Sequence, residues 1–426
     1  MSSARPSLAL VAFASAAVAV AAAYEGPRTF EASELLTPAQ LKGPHFLVAA
    51  EVPTDGFFHL FSITTDWGPL EAEGRSLLLV RLREVDALAQ LDEVSRSEVF
   101  VKAVGTSVVN VGKGVVAAAK DPEATIKGIG GGLKRFGVNL GRKAKRAGDK
   151  AVDAVKKDED EKAEGPEKSG GKKAAEAAGG AAKSILGVNA GARRWARKVG
   201  VDPYTTNPIL KKALEDIGTA DAAGGIATKI ALPIPMPVSS TATVGSLVWG
   251  KDPEELLKFN EQRLEELGVS GGTIKELYLS KGFTLTLQTR LVSALHAVKA
   301  KGSADYAETA AEADTEREAL FFVESAEMLE RLHAKSPVVA LLPDSRALVA
   351  KTRDGRAVAL LPVDWVRWTE TFEKSAMEAS ARAKAELGAT IVELHLAGTA
   401  TAAARKELAA LGFAVVESNR AAEPLK

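Results

Sequence analysis

One stretch of the chain, residues 153–180, has almost nothing with which to enter a hydrophobic core. It consists mostly of lysine, acidic residues, glycine and alanine and shows no apolar periodicity. A segment that buries little apolar surface gains nothing that offsets the entropy it loses on ordering. We therefore predict a disordered linker over residues 151–183. The folded part must then be assembled from sequence on both sides of it.

The first 23 residues predict an export signal. Arg5 precedes an uncharged apolar run from Leu8 to Val20, and small residues follow up to Ala23. This is the pattern of a signal peptide that is cleaved near Ala21 or Ala23. An uncleaved anchor is the alternative, but the run is short and rich in alanine beside the roughly 20 residues of a spanning helix. We expect an exported protein in the periplasm or cell envelope of a bacterium.

Composition excludes several kinds of chemistry. The 426 residues include no cysteine, so disulfides, thiolate nucleophiles and cysteine-ligated metals are impossible. The 55 basic and 55 acidic residues cancel, and the whole-chain charge therefore indicates no class of partner. Hydrophobic residues make up 46 % of the chain, which is ample material for hydrophobic cores.

Residues 24–99 predict a small α+β unit. The segments His45–Val52 and Phe57–Thr65 are rich in β-branched and aromatic residues, as strands are, and Pro53–Gly56 between them predicts a turn. From Ser76 onward, apolar residues recur at helical spacing. We expect a β-hairpin or a three-stranded meander with a helix packed across it.

The central part, residues 184–310, predicts a helical unit. Asn207 and Asp252 each precede a proline, which is the combination of a capping side chain and a residue suited to the first helical turn. Tyr204, a few residues before the first of these caps, has no evident structural role in the sequence.

Residues 311–426 predict an α/β unit. Asp354-Gly355 is a tight-hairpin signal between two apolar strands. A later strand, helix and strand over residues 390–417 predict a βαβ element whose two strands are parallel. The short strands expected before it are 338–342, 347–352 and 356–361. Whether the N-terminal and C-terminal strands share one sheet stays open. The fold class expected for the whole chain is α+β and predominantly helical.

The aromatic and histidine residues are predicted to have structural roles. Asp364 is expected to cap a helix that carries Trp365 and Trp368 on one face, where they would pack in a core. Trp67, in a predicted turn, is expected to be exposed. The scattered histidines lack metal-ligand spacing, although His45 and His59 could face each other across the first hairpin.

Three stretches of the sequence carry a resemblance. They are Asp55–Phe61 with the Gly74–Asp92 helix, Asp121–Phe136, and Val201–Pro208. They resemble a group of uncharacterised exported bacterial proteins that has no assigned activity. The resemblance implies export and a bacterial source, and it implies no catalytic residue.

The strongest binding pattern lies in residues 100–150, where eleven basic residues accompany three acidic ones. Lysines recur there every seven residues, and apolar residues fall on the opposite helical face. This predicts basic amphipathic helices suited to an anionic membrane surface or a partner protein. The alternative is that the apolar face packs on the protein's own core. The binding residues predicted are Lys113, Lys120, Lys127, Ile129, Leu133, Lys134 and Phe136.

Other functional signatures fail. Gly105 to Lys113 has the wrong spacing for a phosphate loop, and glycine follows the lysine where serine or threonine should stand. The basic segment has no aromatic residue beyond Phe136 on which nucleic-acid bases would stack. No nucleophile-elbow motif is present. The sequence therefore predicts no cofactor, no metal, no nucleotide and no nucleic acid.

Two functions remain. The sequence favours an exported, non-enzymatic envelope protein that associates peripherally with a membrane or a partner protein. The alternative is an exported enzyme whose site is assembled from carboxylates near strand ends, where α/β folds place ligand sites. Those carboxylates are Asp344, Asp354 and Asp364.

Overall fold

A computed structural model describes residues 24–98, Phe100, 190–224 and 242–418. Within these ranges the protein is a mixed α+β fold that is predominantly helical, as the sequence predicted. The predicted signal peptide and linker lie outside the described residues, and so does the basic segment apart from Phe100. All seven residues predicted to bind a membrane or partner therefore lie outside them as well.

The N-terminal sheet has four antiparallel strands. Its order is β2 (Lys42–Gly43), β3 (Phe46–Val48), β5 (Leu60–Thr65) and β6 (Gly68–Glu73). A separate antiparallel pair joins β1 (Thr29–Glu31) to β4 (Glu51–Pro53), and two short helices lie between β1 and β2, α1 (Ala32–Leu35) and α2 (Pro38–Leu41).

Helix α3 (Arg75–Arg96) packs against this sheet through β6, as the apolar spacing predicted. Leu78, Val85, Leu88 and Leu91 form its buried stripe. Its N-cap is Gly74, whose φ of 97° lies in a region that only glycine occupies without strain. The predicted meander with a packed helix is confirmed.

Two predictions about this unit are wrong. Trp67 is only 8 % exposed, because the β5–β6 turn folds its indole against the core and the His45 ring. His45 and His59 do not face each other. The register places Phe46 opposite Thr65, so His45 meets Asp66 (2.7 Å between Nδ1 and Oδ2), whereas His59 is buried beside Phe30.

Helices form the centre of the molecule. They are α4 (Ala190–Val199), α5 (Pro208–Gly224), α6 (Ala242–Gly250), α7 (Pro253–Glu266), α8 (Gly271–Leu279), α9 (Leu285–Val298), α10 (Ser303–Ala311) and α11 (Glu316–Lys335). Helix α9 packs between α7 and α11, and α4 packs on α5. Asn207 caps α5 through Oδ1, which accepts from the Ile209 amide at 3.0 Å, and Asp252 caps α7 in the same way. Both predicted caps are confirmed.

The C-terminal sheet has five strands, β7 (Val338–Leu341), β8 (Leu348–Thr352), β9 (Ala357–Leu361), β11 (Ile391–Leu396) and β13 (Ala414–Val416), and helix α13 (Ala402–Ala410) lies between the last two in the chain. The order of the strands in the sheet is β13-β11-β9-β8-β7. β7, β8 and β9 form antiparallel hairpins, whereas β9, β11 and β13 are parallel. β11, the helix α13 and β13 make the predicted βαβ element. The other elements of this region are β10 (Trp365–Val366), α12 (Glu370–Arg382), a short π-helix (Ala383–Leu387) that continues α12, and β12 (Thr399–Ala400).

The N-terminal and C-terminal strands belong to separate sheets, and the segment around Asp364 joins the two units. The backbone amides of Asp364 and Trp365 both donate to the Phe57 carbonyl, at 2.9 and 3.1 Å. These bonds hold the segment extended, and Trp365–Val366 pairs with β12 as strand β10.

The predicted helix at Asp364 is therefore wrong. Helix α12 begins at Glu370, where the Thr369 hydroxyl accepts from the Phe372 amide at 3.1 Å. Trp365 and Trp368 are buried as expected, but in extended chain and not on one helix face. No helix within the described residues combines the length and apolar character that crossing a membrane requires.

Candidate functional site

The residues Val201–Pro208, which form the most distinctive motif of the helical unit, take part in a buried polar network. Glu84 on α3 is 2 % exposed, and its Oε2 accepts from Arg81 Nη1 at 2.9 Å and from Asn207 Nδ2 at 3.0 Å. The Thr205 hydroxyl donates to the other carboxylate oxygen. Arg81 also reaches Glu316 on α11, at 2.6 Å. Because the carboxylate has protein partners at both oxygens, this network holds three segments of the chain together.

Asp202 lies beside this network and is held in the same way. Its Oδ1 accepts from the Tyr204 amide at 2.8 Å and from the Thr286 hydroxyl at 2.6 Å. Burial raises the pKa of Asp202 to about 6. Tyr204 is itself a core residue, and burial raises its pKa to about 12. The structure thus supplies the role that the sequence left open for Tyr204.

Asp364 has a structural role that no local pattern indicated. Its Oδ2 accepts from the His59 amide at 3.1 Å and from the Arg75 amide at 3.0 Å. Arg75 is the first residue of α3, so Asp364 caps a helix far away in sequence. Asp55, in the turn that this junction covers, accepts from the Phe57 and Phe58 amides, and burial raises its pKa.

The three carboxylates of the predicted enzyme site do not form one site. Asp354 lies in the β8–β9 turn and pairs with Arg356 at 2.9 Å. Asp344 lies in the β7–β8 loop, which is at the opposite end of β8. Asp364 is buried in the junction between units. All three residues lie near strand ends, but they do not share a pocket. The Asp344 loop and the Asp354 turn lie at opposite ends of β8, because consecutive hairpin connections alternate between the two ends of the strands.

A cavity of about 320 Å³ lies between α12 and the C-terminal sheet. Its floor is a row of side chains on one sheet face. Ala359 pairs with Val349 on one neighbouring strand and with Leu394 on the other, and all three line the cavity. The small Ala359 side chain at the centre of this row leaves space that a larger residue would fill. Ile391 and Leu361 extend the apolar floor.

Helix α12 forms the roof of the cavity. Phe372, Ala376 and Ala379 line it, and their spacing puts them on one helical face. Met377 points outward and is 54 % exposed. Phe372 is buried against Phe57 and Trp368, and Ala376 and Ala379 are partly buried against the core. The cavity lies between this face of the helix and the sheet.

The rim of the cavity is polar. Arg382 donates to the carbonyls of Pro343 and Asp344, at 2.7 and 3.2 Å, and its guanidinium pairs with Glu386 at 2.7 Å. These bonds join the C-terminal end of α12 to the β7–β8 loop, in which Asp344 adopts a φ of 48°. Arg346, on the same loop, lies 3.6 Å from Glu318.

The lining combines apolar side chains with a smaller number of hydroxyl, carboxylate and guanidinium groups. Among the described residues that line it, none is a histidine, lysine or tyrosine. The described residues also contain no group of three or more histidine and carboxylate side chains that could hold a metal ion. Such an apolar, concave space with a few polar groups at its mouth is typical of small-molecule sites.

Of the residues that line this site, the sequence had singled out only Asp344 as a candidate functional residue. The spacing of Phe372, Ala376 and Ala379 was a usable signal for the roof. The floor of the cavity had no comparable signal in the sequence, because its residues lie on three different strands that meet only in the folded sheet. No known protein family, curated protein or solved structure matches this chain. Its function must therefore be argued from the geometry of the site.

Proposed function

We propose that the protein is an exported, non-enzymatic binding protein that holds one small, largely apolar molecule in the cavity beneath α12. The cavity itself carries the proposal, because it is a partly covered apolar space between a sheet face and one face of a helix. Its volume is at the lower end of the range of known ligand pockets, about 300–1,000 Å³.

A fluorescent apolar probe tests this proposal. N-phenyl-1-naphthylamine should bind the purified protein with a Kd on the order of 0.2 mM, which follows from roughly 0.3 kcal/mol for each of its heavy atoms. Ala379→Trp places an indole in the cavity and should weaken binding at least tenfold. Met377→Trp, on the outward face of the same helix, should leave binding unchanged. Equal effects of the two substitutions, or a wild-type protein that does not enhance the probe's fluorescence, would contradict the proposal.

We further propose that residues 100–150 bring this protein to an anionic membrane surface, on the support of the lysine and apolar pattern of that segment. Burial of Ile129, Leu133 and Phe136 would contribute about 1.5–3 kcal/mol each, and each nearby lysine about 1 kcal/mol. Attachment should be moderate and reversible, because the many glycines in the segment each oppose helix formation by roughly 1 kcal/mol.

Flotation with anionic vesicles tests this second proposal. Leu133→Asp should abolish flotation, because it places a charge in the apolar face. Leu279→Asp, at a half-exposed position on α8, is the matched control and should float like the wild type. If Leu133→Asp instead lowers the Tm sharply and the wild-type protein ignores the vesicles, the apolar face belongs to the core.

Export remains part of the proposal, and the contacts of Glu25 support it. The Glu25 amide donates to the Trp368 carbonyl at 2.8 Å, and its carboxylate accepts from the Trp368 amide and the Thr401 hydroxyl at 2.6 Å each. A chain that is cut near Ala23 therefore keeps the hydrogen bonds that join Glu25 to the C-terminal unit.

A further inference from the structure

We infer that the cavity beneath α12 selects uncharged apolar molecules and discriminates against the same molecules bearing an anionic headgroup. This inference rests on the proposed binding function and specifies its ligand class. It is carried by how the charges on the rim are paired.

The lining holds two guanidinium groups and three carboxylates. Arg382 is one of these two cations, and its guanidinium is already bound by protein acceptors. Its Nε and Nη2 atoms contact the Glu386 carboxylate at 2.7 and 3.2 Å, and it also donates to the two loop carbonyls. The nearby carboxylates of Glu386, Asp344 and Glu378 raise the pKa of Arg382.

The second cation is engaged as well. Arg346 lies 3.6 Å from Glu318, and its guanidinium lies over the Phe322 ring at 5.7 Å from the centroid. An anionic headgroup would have to displace one of these carboxylates or stand unpaired near Glu312, Asp344 and Glu378. A headgroup that loses water without gaining a partner costs binding free energy.

The interior beneath the rim is aliphatic and aromatic, from Val349 and Leu394 on the floor to Phe372 on the roof. Only the burial of apolar surface is favourable there. An uncharged molecule therefore has the smallest desolvation cost on binding.

Competition against N-phenyl-1-naphthylamine tests the inference. The competitors are 1-decanol and decanoate, which share one alkyl chain and differ in headgroup charge. At neutral pH, 1-decanol should displace the probe with an apparent Kd at least tenfold lower than that of decanoate. If decanoate competes as well as 1-decanol, the inference is wrong and the proposed function stands. If the probe itself does not bind, the proposed function fails first.

A gain-of-binding variant sharpens the test. Glu386→Gln removes the charge that occupies Arg382, and it should strengthen displacement by decanoate about three- to tenfold while leaving 1-decanol unchanged. Glu370→Gln is the matched control. Glu370 pairs with Lys374 at the other end of α12, roughly 20 Å away by helical rise and beyond the screening length at physiological salt. Unchanged decanoate binding in Glu386→Gln would mean that Arg382 does not set the selectivity.

Discussion

Replacing Glu84 by alanine should lower the free energy of unfolding by about 3–5 kcal/mol, the usual cost of removing one partner from a buried ion pair. The substitution leaves the Arg81 guanidinium buried without the carboxylate 2.9 Å away. It also removes the acceptor for Asn207 Nδ2 and the Thr205 hydroxyl. Chemical denaturation with urea, followed by circular dichroism, measures the change.

The control for this prediction lies on the same helix. Glu93 is exposed on α3, so Glu93→Ala should change stability by no more than about 0.5 kcal/mol. Glu84→Gln should fall between the two, because the amide oxygen still accepts one hydrogen bond. A loss below about 1 kcal/mol for Glu84→Ala would show that the network contributes little to stability.

Asp364→Ala should cost about 3–4 kcal/mol, since hydrogen bonds to charged groups contribute about 1.5–3 kcal/mol each and do not add fully. The His59 amide, which is buried, loses its acceptor, and α3 loses its distant cap at Arg75. The two units are joined at this point, so we expect the single unfolding transition to broaden or split. Thermal unfolding monitored by calorimetry measures both effects.

Asp354→Ala provides the comparison. The Asp354 carboxylate is half exposed in a turn and pairs with the partly exposed Arg356, so its loss should destabilise the protein far less than the loss of Asp364. Asp364→Asn keeps an acceptor oxygen and should cost about half as much as the alanine variant. Equal destabilisation by Asp364→Ala and Asp354→Ala would contradict the assignment of Asp364 as the link between the units.

Much of the secondary structure could be predicted because its signals are local. The Asp354-Gly355 hairpin, the Asn207 cap and the apolar stripe of α3 each depend on residues within one or two turns of one another. Hydrogen bonds and side-chain contacts at that range are nearly independent of the rest of the chain. The prediction failed at Asp364 because a capping residue before apolar positions looks the same whether it caps its own segment or another one.

The cavity shows the same limit. Phe372, Ala376 and Ala379 form a stripe that predicts a buried helix face, but the stripe alone does not say whether the sheet beneath it fills the space. That depends on Ala359 being paired with Val349 and Leu394, and therefore on the register of three strands.

Local sequence thus determined the elements of this protein: the hairpin turns, the caps, the long helix across the first sheet and the parallel βαβ element. Tertiary structure decided how they meet. The Asp364 carboxylate finds its amide partners 305 and 289 residues away, and the Glu84 carboxylate finds Asn207 from a separate helix. Such contacts depend on which surfaces pack together, and packing is settled by the shape and burial of whole elements rather than by spacing within any one of them.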